Sequence, residues 1–306
     1  MQFPLPLHIG DTIGLIAPSS PVKREQLVQC IDAIDALGYL PVLGESAKRN
    51  LHGYLAGCDQ IRASDINQMF ADPSIHAIFC LRGGYGSTRI MELLDYNTIA
   101  QNPKIFVGYS DITSFHLAFH SLCNLVTFHG PMVSSNMTEH FDYYSRSSLE
   151  RTLQMPPFHI FHNPEGYYYK TIVPGIATGQ ILGGCLSLVS PSIGTFYQPD
   201  FSDSILFLED IDESIPRCDK LMYHLKNAGI FSKVNGVILG SFLNCTNPAD
   251  PDYTIYDFFC DFFKDFEKPV LWGLQSGHEK PMGTIPLGEI CIMNTYTNRV
   301  VFERHN

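Results

Sequence analysis

Three times in its first half the chain runs a short apolar segment into a turn of small or rigid residues and then into a helical pattern. Thr12 to Ala17 (TIGLIA) stops at Pro18-Ser19-Ser20-Pro21, and Leu27, Ile31, Ile34 and Leu37 follow at helical spacing before Gly38. Ile75 to Cys80 leads to Arg82-Gly83-Gly84-Tyr85-Gly86-Ser87, with a helix expected through Met91 and Leu94. Lys104 to Tyr109 (KIFVGY) delivers Ser110-Asp111, after which Ile112, Phe115, Phe119 and Leu122 share one helical face. A further strand is read at 39–43 and a further helix at 63–71. Such alternation requires a parallel sheet covered by helices on both faces, so the expected fold class is α/β.

From about Pro131 to Tyr169 the pattern breaks into polar residues, aromatics and prolines, and the domain connection is placed there. Beyond it the apolar runs 205–208, 236–242, 269–272, 289–293 and 299–303 lie close together, with fewer helices expected between them. The division is an α/β domain over 1–150 and a smaller strand-rich domain over 165–306. At roughly 100–200 residues per domain, 306 residues suggest two domains or one large one. The net charge of −11 opposes the counterion release that duplex nucleic acid or an anionic membrane would require, so neither is an expected partner. The first residues have no basic n-region and no long apolar run, and nine cysteines occur without a Cys-x-x-Cys pair. The expectation is a cytoplasmic protein with reduced thiols.

A serine oxygen becomes a nucleophile when a base takes its proton and a sharp turn projects it toward a carbonyl. Ser110 lies at such a strand-to-helix turn, although Ile112 occupies the position where the usual elbow has glycine; the competing reading is a helix N-cap. The backbone N–H of Asp111 and those near Gly84 are candidate donors to a developing oxyanion. The glycine loop lacks the Lys-Ser/Thr ending of a P-loop and the spacing of a dinucleotide fingerprint, and it competes with a plain tight turn. His278 lies in a turn-like stretch from Gln275 to Pro281, and Glu209 ends an apolar run where a carboxylate needs a partner. Against these stand an exposed loop histidine and a solvated acidic cluster (Glu209, Asp210, Asp212, Glu213) equally suited to a hard cation. Two rival sites remain. His116 and His120 have zinc spacing, but Leu117 replaces the glutamate of H-E-x-x-H. Cys185 loosely matches the nucleophile turn of cysteine amidotransferases, without a clear strand-to-helix switch around it.

Taken together, IAPSSP (16–21), LRGGYGS (81–87), FVGYSDIT (106–113), HGPM (129–132), GG-x-LS (183–187), FLEDIDE (207–213) and SGH…PLG (276–288) resemble the LD-carboxypeptidase family in order and over almost the whole chain. That family comprises murein tetrapeptide carboxypeptidases and microcin-immunity serine peptidases. Cys185 stands where the family often has Asn. The resemblance implies a flavodoxin-like or Rossmann-like N-terminal domain joined to a swivelling β/α domain. It implies a serine peptidase with Ser110 as nucleophile, His278 as base and Glu209 as orienting carboxylate, with Gly84 and Asp111 donating to the oxyanion. The implied substrate is a cytoplasmic murein tetrapeptide that loses its terminal D-alanine, whose carboxylate Arg82 is placed to bind. No metal or cofactor is expected, and a homodimer is a candidate assembly. Alternatives are an amidase conferring immunity to peptide–nucleotide antibiotics, a cysteine amidotransferase-like enzyme using Cys185, and a non-catalytic muropeptide-binding protein.

Overall fold

A computed structural model describes residues 1–304 and arranges them around two sheets. The first contains β1 (Thr12–Ile16), β2 (Leu40–Leu43), β3 (Ala77–Cys80), β4 (Ile105–Gly108) and β5 (Thr127–His129), all parallel in the spatial order 5-4-3-1-2. Every residue of β3 and β4 is buried, as strands covered on both faces must be. Their alternation divides the core. Ile78 and Phe106 join Phe70 and Phe119 on one face, while Phe79 and Val107 join Ile34 and Leu149 on the other. The covering helices are α1 (Arg24–Asp35), α2 (Asp59–Ala71), α3 (Tyr96–Gln101), α4 (Thr113–Cys123) and α5 (Tyr143–Leu153). This is the flavodoxin-like order, whose crevice opens where the winding reverses, outside the carboxyl ends of β1 and β3.

The second half holds β6 (Phe158–Phe161), β7 (Lys170–Val173), β8 (Ile176–Cys185), β9 (Ile205–Ile211), β10 (Gly236–Leu243), β11 (Val270–Trp272), β12 (Ile285–Leu287), β13 (Ile290–Asn294) and β14 (Arg299–Glu303). Its eight-stranded sheet has the order 6-14-13-8-9-10-11-7, with β8 to β11 parallel and the flanking strands antiparallel. The helices are α6 (Leu186–Ser192), α7 (Ile215–Asn227), α8 (Ile230–Lys233) and α9 (Ile255–Phe262). β12 leaves this sheet. It pairs antiparallel with β5, Ile285 opposite His129, and so becomes the edge strand of the first sheet.

Several local expectations are corrected. The helix expected through Met91 and Leu94 is two 3-10 turns, Ser87–Arg89 and Met91–Leu93, because Asp95 then starts α3 by accepting from the Thr98 N–H. The second half carries more helix than its apolar runs suggested. Ile215, Cys218, Leu221, Met222 and Leu225 of α7 pack one buried stripe onto the sheet. Cys185 does stand at a strand-to-helix switch, from β8 into α6. No helix among the described residues is long and apolar enough to cross a membrane.

Candidate active site

Ser110 follows β4 directly and holds φ at +65°, a left-handed conformation that a non-glycine residue adopts only under constraint. It opens a 3-10 turn that continues into α4. The N-cap positions of this turn and of α4 fall on Tyr109 and Ile112, so Ser110 is not the N-cap. Ile112 fits in place of the usual glycine because the space is made at Gly108, where a Cβ would come within 2.8 Å of Ile112 Cγ2.

The glycine loop lies against this turn. A Cβ on Gly83 would stand 3.0 Å from Ser110 Cβ and 3.3 Å from both Ser110 Oγ and the Asp111 nitrogen, while Gly84 holds φ at +110°. Buried polar groups fasten the loops together. The Asp111 carboxylate accepts from Ser19 Oγ (2.5 Å) and the Ser87 N–H (2.8 Å), so its side chain is structural and its N–H alone is a candidate oxyanion donor. Burial raises the Asp111 pKa, and these donors oppose the shift. Arg62 of α2, fully buried, donates to Pro18 O (2.6 Å) and Gly86 O (2.7 Å) and pairs with Asp59. Sequence reasoning did not single out Arg62 or Ser19, since nothing in the local pattern of α2 distinguishes a buried arginine from a solvated one. Arg82 is exposed, donates at 3.4 Å to Pro21 O and forms no ion pair among the described residues.

Glu209 lies on central strand β9 with no solvent exposure, and its Oε2 accepts from His278 Nδ1 at 2.7 Å. A bare carboxylate there would be strongly destabilising, so the imidazole is a structural as well as a chemical partner. Gly277 allows the approach: its φ is +129°, and a Cβ would fall 2.6 Å from Glu209 Oε2. Burial disfavours the His278 cation, but Glu209, with Asp210 and Asp212 beyond it, outweighs that and raises the imidazole pKa above its ordinary value. The two halves meet here. Cys185, opposite Glu209 in register, donates its N–H to Thr113 Oγ1 at the start of α4 (3.1 Å), and the His278 ring lies edge-on to Tyr109 with centroids 4.9 Å apart. The Glu209–His278 pair thus abuts the residue preceding Ser110.

The rival sites fare differently. Both His116 ring nitrogens are taken, by Thr127 Oγ1 and Gly108 O at 2.8 Å each, and burial lowers its pKa to about 4. Among the described residues no group of three His, Cys, Asp or Glu is placed to hold a metal ion. Within the acidic cluster, Asp210 already accepts from the Ser187 and Ile211 N–H groups and from the Cys185 thiol. Burial and the Glu209 and Asp210 charges push that thiol far above the range in which a thiolate forms, which opposes a cysteine nucleophile.

Fold and site together define a two-domain α/β protein with a buried carboxylate–imidazole pair where its two halves meet. Residues 13–130 match the LD-carboxypeptidase N-terminal domain and residues 178–293 the LD-carboxypeptidase C-terminal domain. The chain belongs to the LD-carboxypeptidase family. A probable murein peptide carboxypeptidase of Bacillus subtilis (strain 168) is 35% identical over 98% of this chain and 94% of its own. Among solved structures, a muramoyltetrapeptide carboxypeptidase from Oxalobacter formigenes superposes with a TM-score of 0.85 at 27% identity, covering 96% of this chain and 99% of that one. The wild-type apo microcin C7 self-immunity protein MccF superposes with a TM-score of 0.92 at 25% identity, covering 100% and 99%.

Proposed function

We propose that the chain is a serine carboxypeptidase that releases the terminal D-alanine of a cytoplasmic murein tetrapeptide, cutting the bond from the L-centre of the diamino acid. The observation that carries this reading is the buried Glu209–His278 pair packed on the residue before the strained Ser110. Ser110 Oγ attacks the carbonyl carbon while His278 Nε2 takes its proton; Glu209 holds the Nδ1–H and stabilises the imidazolium. The Asp111 and Gly84 N–H groups receive the developing oxyanion. His278 then protonates the leaving amine, and water, deprotonated by the same imidazole, frees the acyl group. Arg82, with no carboxylate partner of its own, suits the substrate's terminal carboxylate. In this reading 1–150 is the nucleophile domain and 165–306 the domain of the Glu and His.

The relatives named for murein peptides support the substrate class. The test is mass spectrometry of a tetrapeptide incubated with the protein: loss of one alanine, abolished in Ser110→Ala, is the expected result. An intact tetrapeptide alongside cleavage of a peptide–nucleotide amide would instead favour the immunity reading that the likeness to MccF suggests.

A further inference from the structure

The glycine loop does not end at the reaction centre. Tyr85 follows Gly84 and is 51% exposed; Tyr54, 45% exposed, lies with its ring centroid 6.1 Å away, and His52 stacks on Tyr54 at 6.5 Å. The main chain that carries these rings is fastened in place. Ser20 Oγ donates to the Tyr54 carbonyl (2.9 Å) and accepts from the Tyr85 N–H (3.1 Å), so one hydroxyl ties the backbones of both tyrosines to the loop after β1. The turn carrying His52 and Tyr54 is closed by Leu51 pairing with Leu55 and by the Gly53 N–H on Asn50 Oδ1, and the Ala56 N–H donates to Ser19 O. The same Ser20 hydroxyl occupies the space beside Gly84, where a Cβ would stand 2.3 Å from it. The strip is therefore built as a continuation of the oxyanion loop.

Half-exposed aromatic faces on a fastened backbone, with wet hydroxyl ends, match a ligand that is apolar on its faces and polar around its edge. A pyranose ring, with C–H groups on its faces and hydroxyls around its rim, has that chemistry. We propose that Tyr54, Tyr85 and His52 form a subsite for the sugar of a glycan-bearing murein peptide. This rests on the murein reading above. The acyl side of a tetrapeptide is three residues long, roughly 10 Å when extended. The ring-to-ring steps of 6.1 Å from Tyr85 to Tyr54 and 6.5 Å from Tyr54 to His52 give a strip of comparable length that begins at the residue after Gly84. The subsite makes the glycan a determinant of selectivity without a part in the chemistry.

The test compares alanine release from a disaccharide tetrapeptide and from the same tetrapeptide without sugar, in the parent chain and in Tyr54→Ser. The ratio of the two kcat/KM values should fall roughly tenfold in the variant, as losing about 1.4 kcal/mol of aromatic contact requires. An unchanged ratio would overturn the subsite, whether or not both rates fall. Calorimetric titration with the peptide-free disaccharide separates this proposal from the catalytic one. Uptake by the parent chain that Tyr54→Ser weakens supports the subsite even if no alanine is released. Absence of uptake together with an unchanged ratio, or a change of oligomeric state in Tyr54→Ser that slows both substrates equally, assigns the strip to another role.

Discussion

At Ser110 the backbone and the chemistry pull in opposite directions. The left-handed φ of +65° projects the hydroxyl toward the glycine loop, and a non-glycine residue carries about 1–2 kcal/mol of strain there. Ser110→Ala should keep the fold and lower kcat by roughly 10⁴–10⁶. Ser110→Gly should be equally inactive yet about 0.5–1 kcal/mol more stable than the alanine variant, since glycine relieves more strain than its unfolded-state entropy takes back. Denaturant midpoints at equal m-value measure this, and a glycine variant no more stable than alanine would show the turn to be unstrained. The companion test concerns His278. In the proposed mechanism neutral imidazole is the active form, and Glu209 raises its pKa, so activity should fall on acidification from a point above the ordinary histidine value. Glu209→Gln removes the charge and leaves the burial, so the acid limb of kcat/KM should move to lower pH as turnover slows. A limb that stays in place would mean that another carboxylate orients the base. Ser110, Glu209 and His278, the proposed triad, stood out in the sequence because Ser110 and His278 fall in turns and Glu209 closes an apolar run, where a carboxylate needs a partner. Arg62 was not legible, because its role depends on two loops that reach it only in the folded chain.

Among the elements, strands such as β1 and β4 were readable as continuous apolar runs, which burial on both faces imposes. β12 was invisible for the converse reason: it is three residues long with Pro286 at its centre, and a proline is tolerated in a strand only at an edge such as this one. The periodicity of α4 was also clear, but not that His116 would be sealed inside it. Burial lowers the pKa of His116, His120 and His159 to about 4, and that of His129, on β5, well below its ordinary value. The unfolded chain therefore binds more protons between about pH 6.5 and 4, and stability falls as the pH drops through that window. His278 acts in the opposite sense, since its raised pKa adds stability below the unfolded value that is lost as the pH rises through the folded one. Each buried neutral imidazole should remove about 1.4 kcal/mol per pH unit within the window. Urea unfolding at pH 7, 5.5 and 4.5 measures the slope, and His116→Gln should reduce it by one proton. Equal slopes in the two proteins would show that His116 titrates normally.

Taken as a whole, the molecule is two sheets tied together by one strand, β12, which the second half of the chain contributes to the first sheet. The chain enters the second sheet at β6, returns through the His278 loop to place β12 beside β5, and then goes back to β13. The loop that carries the proposed base is thus anchored in the second sheet at β11 and in the first at β12. Further bonds tie it to α5, where the Met282 and Thr284 N–H groups donate to Ser145 and Ser148 hydroxyls at 2.7 and 3.0 Å. Alignment within about 1 Å matters for proton transfer, and this double anchorage supplies it without help from the linker between α5 and β6. A protease site inserted within residues 154–157 should therefore be cleavable without loss of function. The nicked protein should elute as one species and retain most of its alanine release, because β12–β5 pairing and the contact of Thr113 with Cys185 survive the cut. Separated under denaturant, each half should be inactive, since Ser110 lies before the cut and both Glu209 and His278 lie after it. Activity lost on nicking while the halves stay together would show that the covalent linker sets the alignment. Turnover by the first half alone would remove His278 as the base.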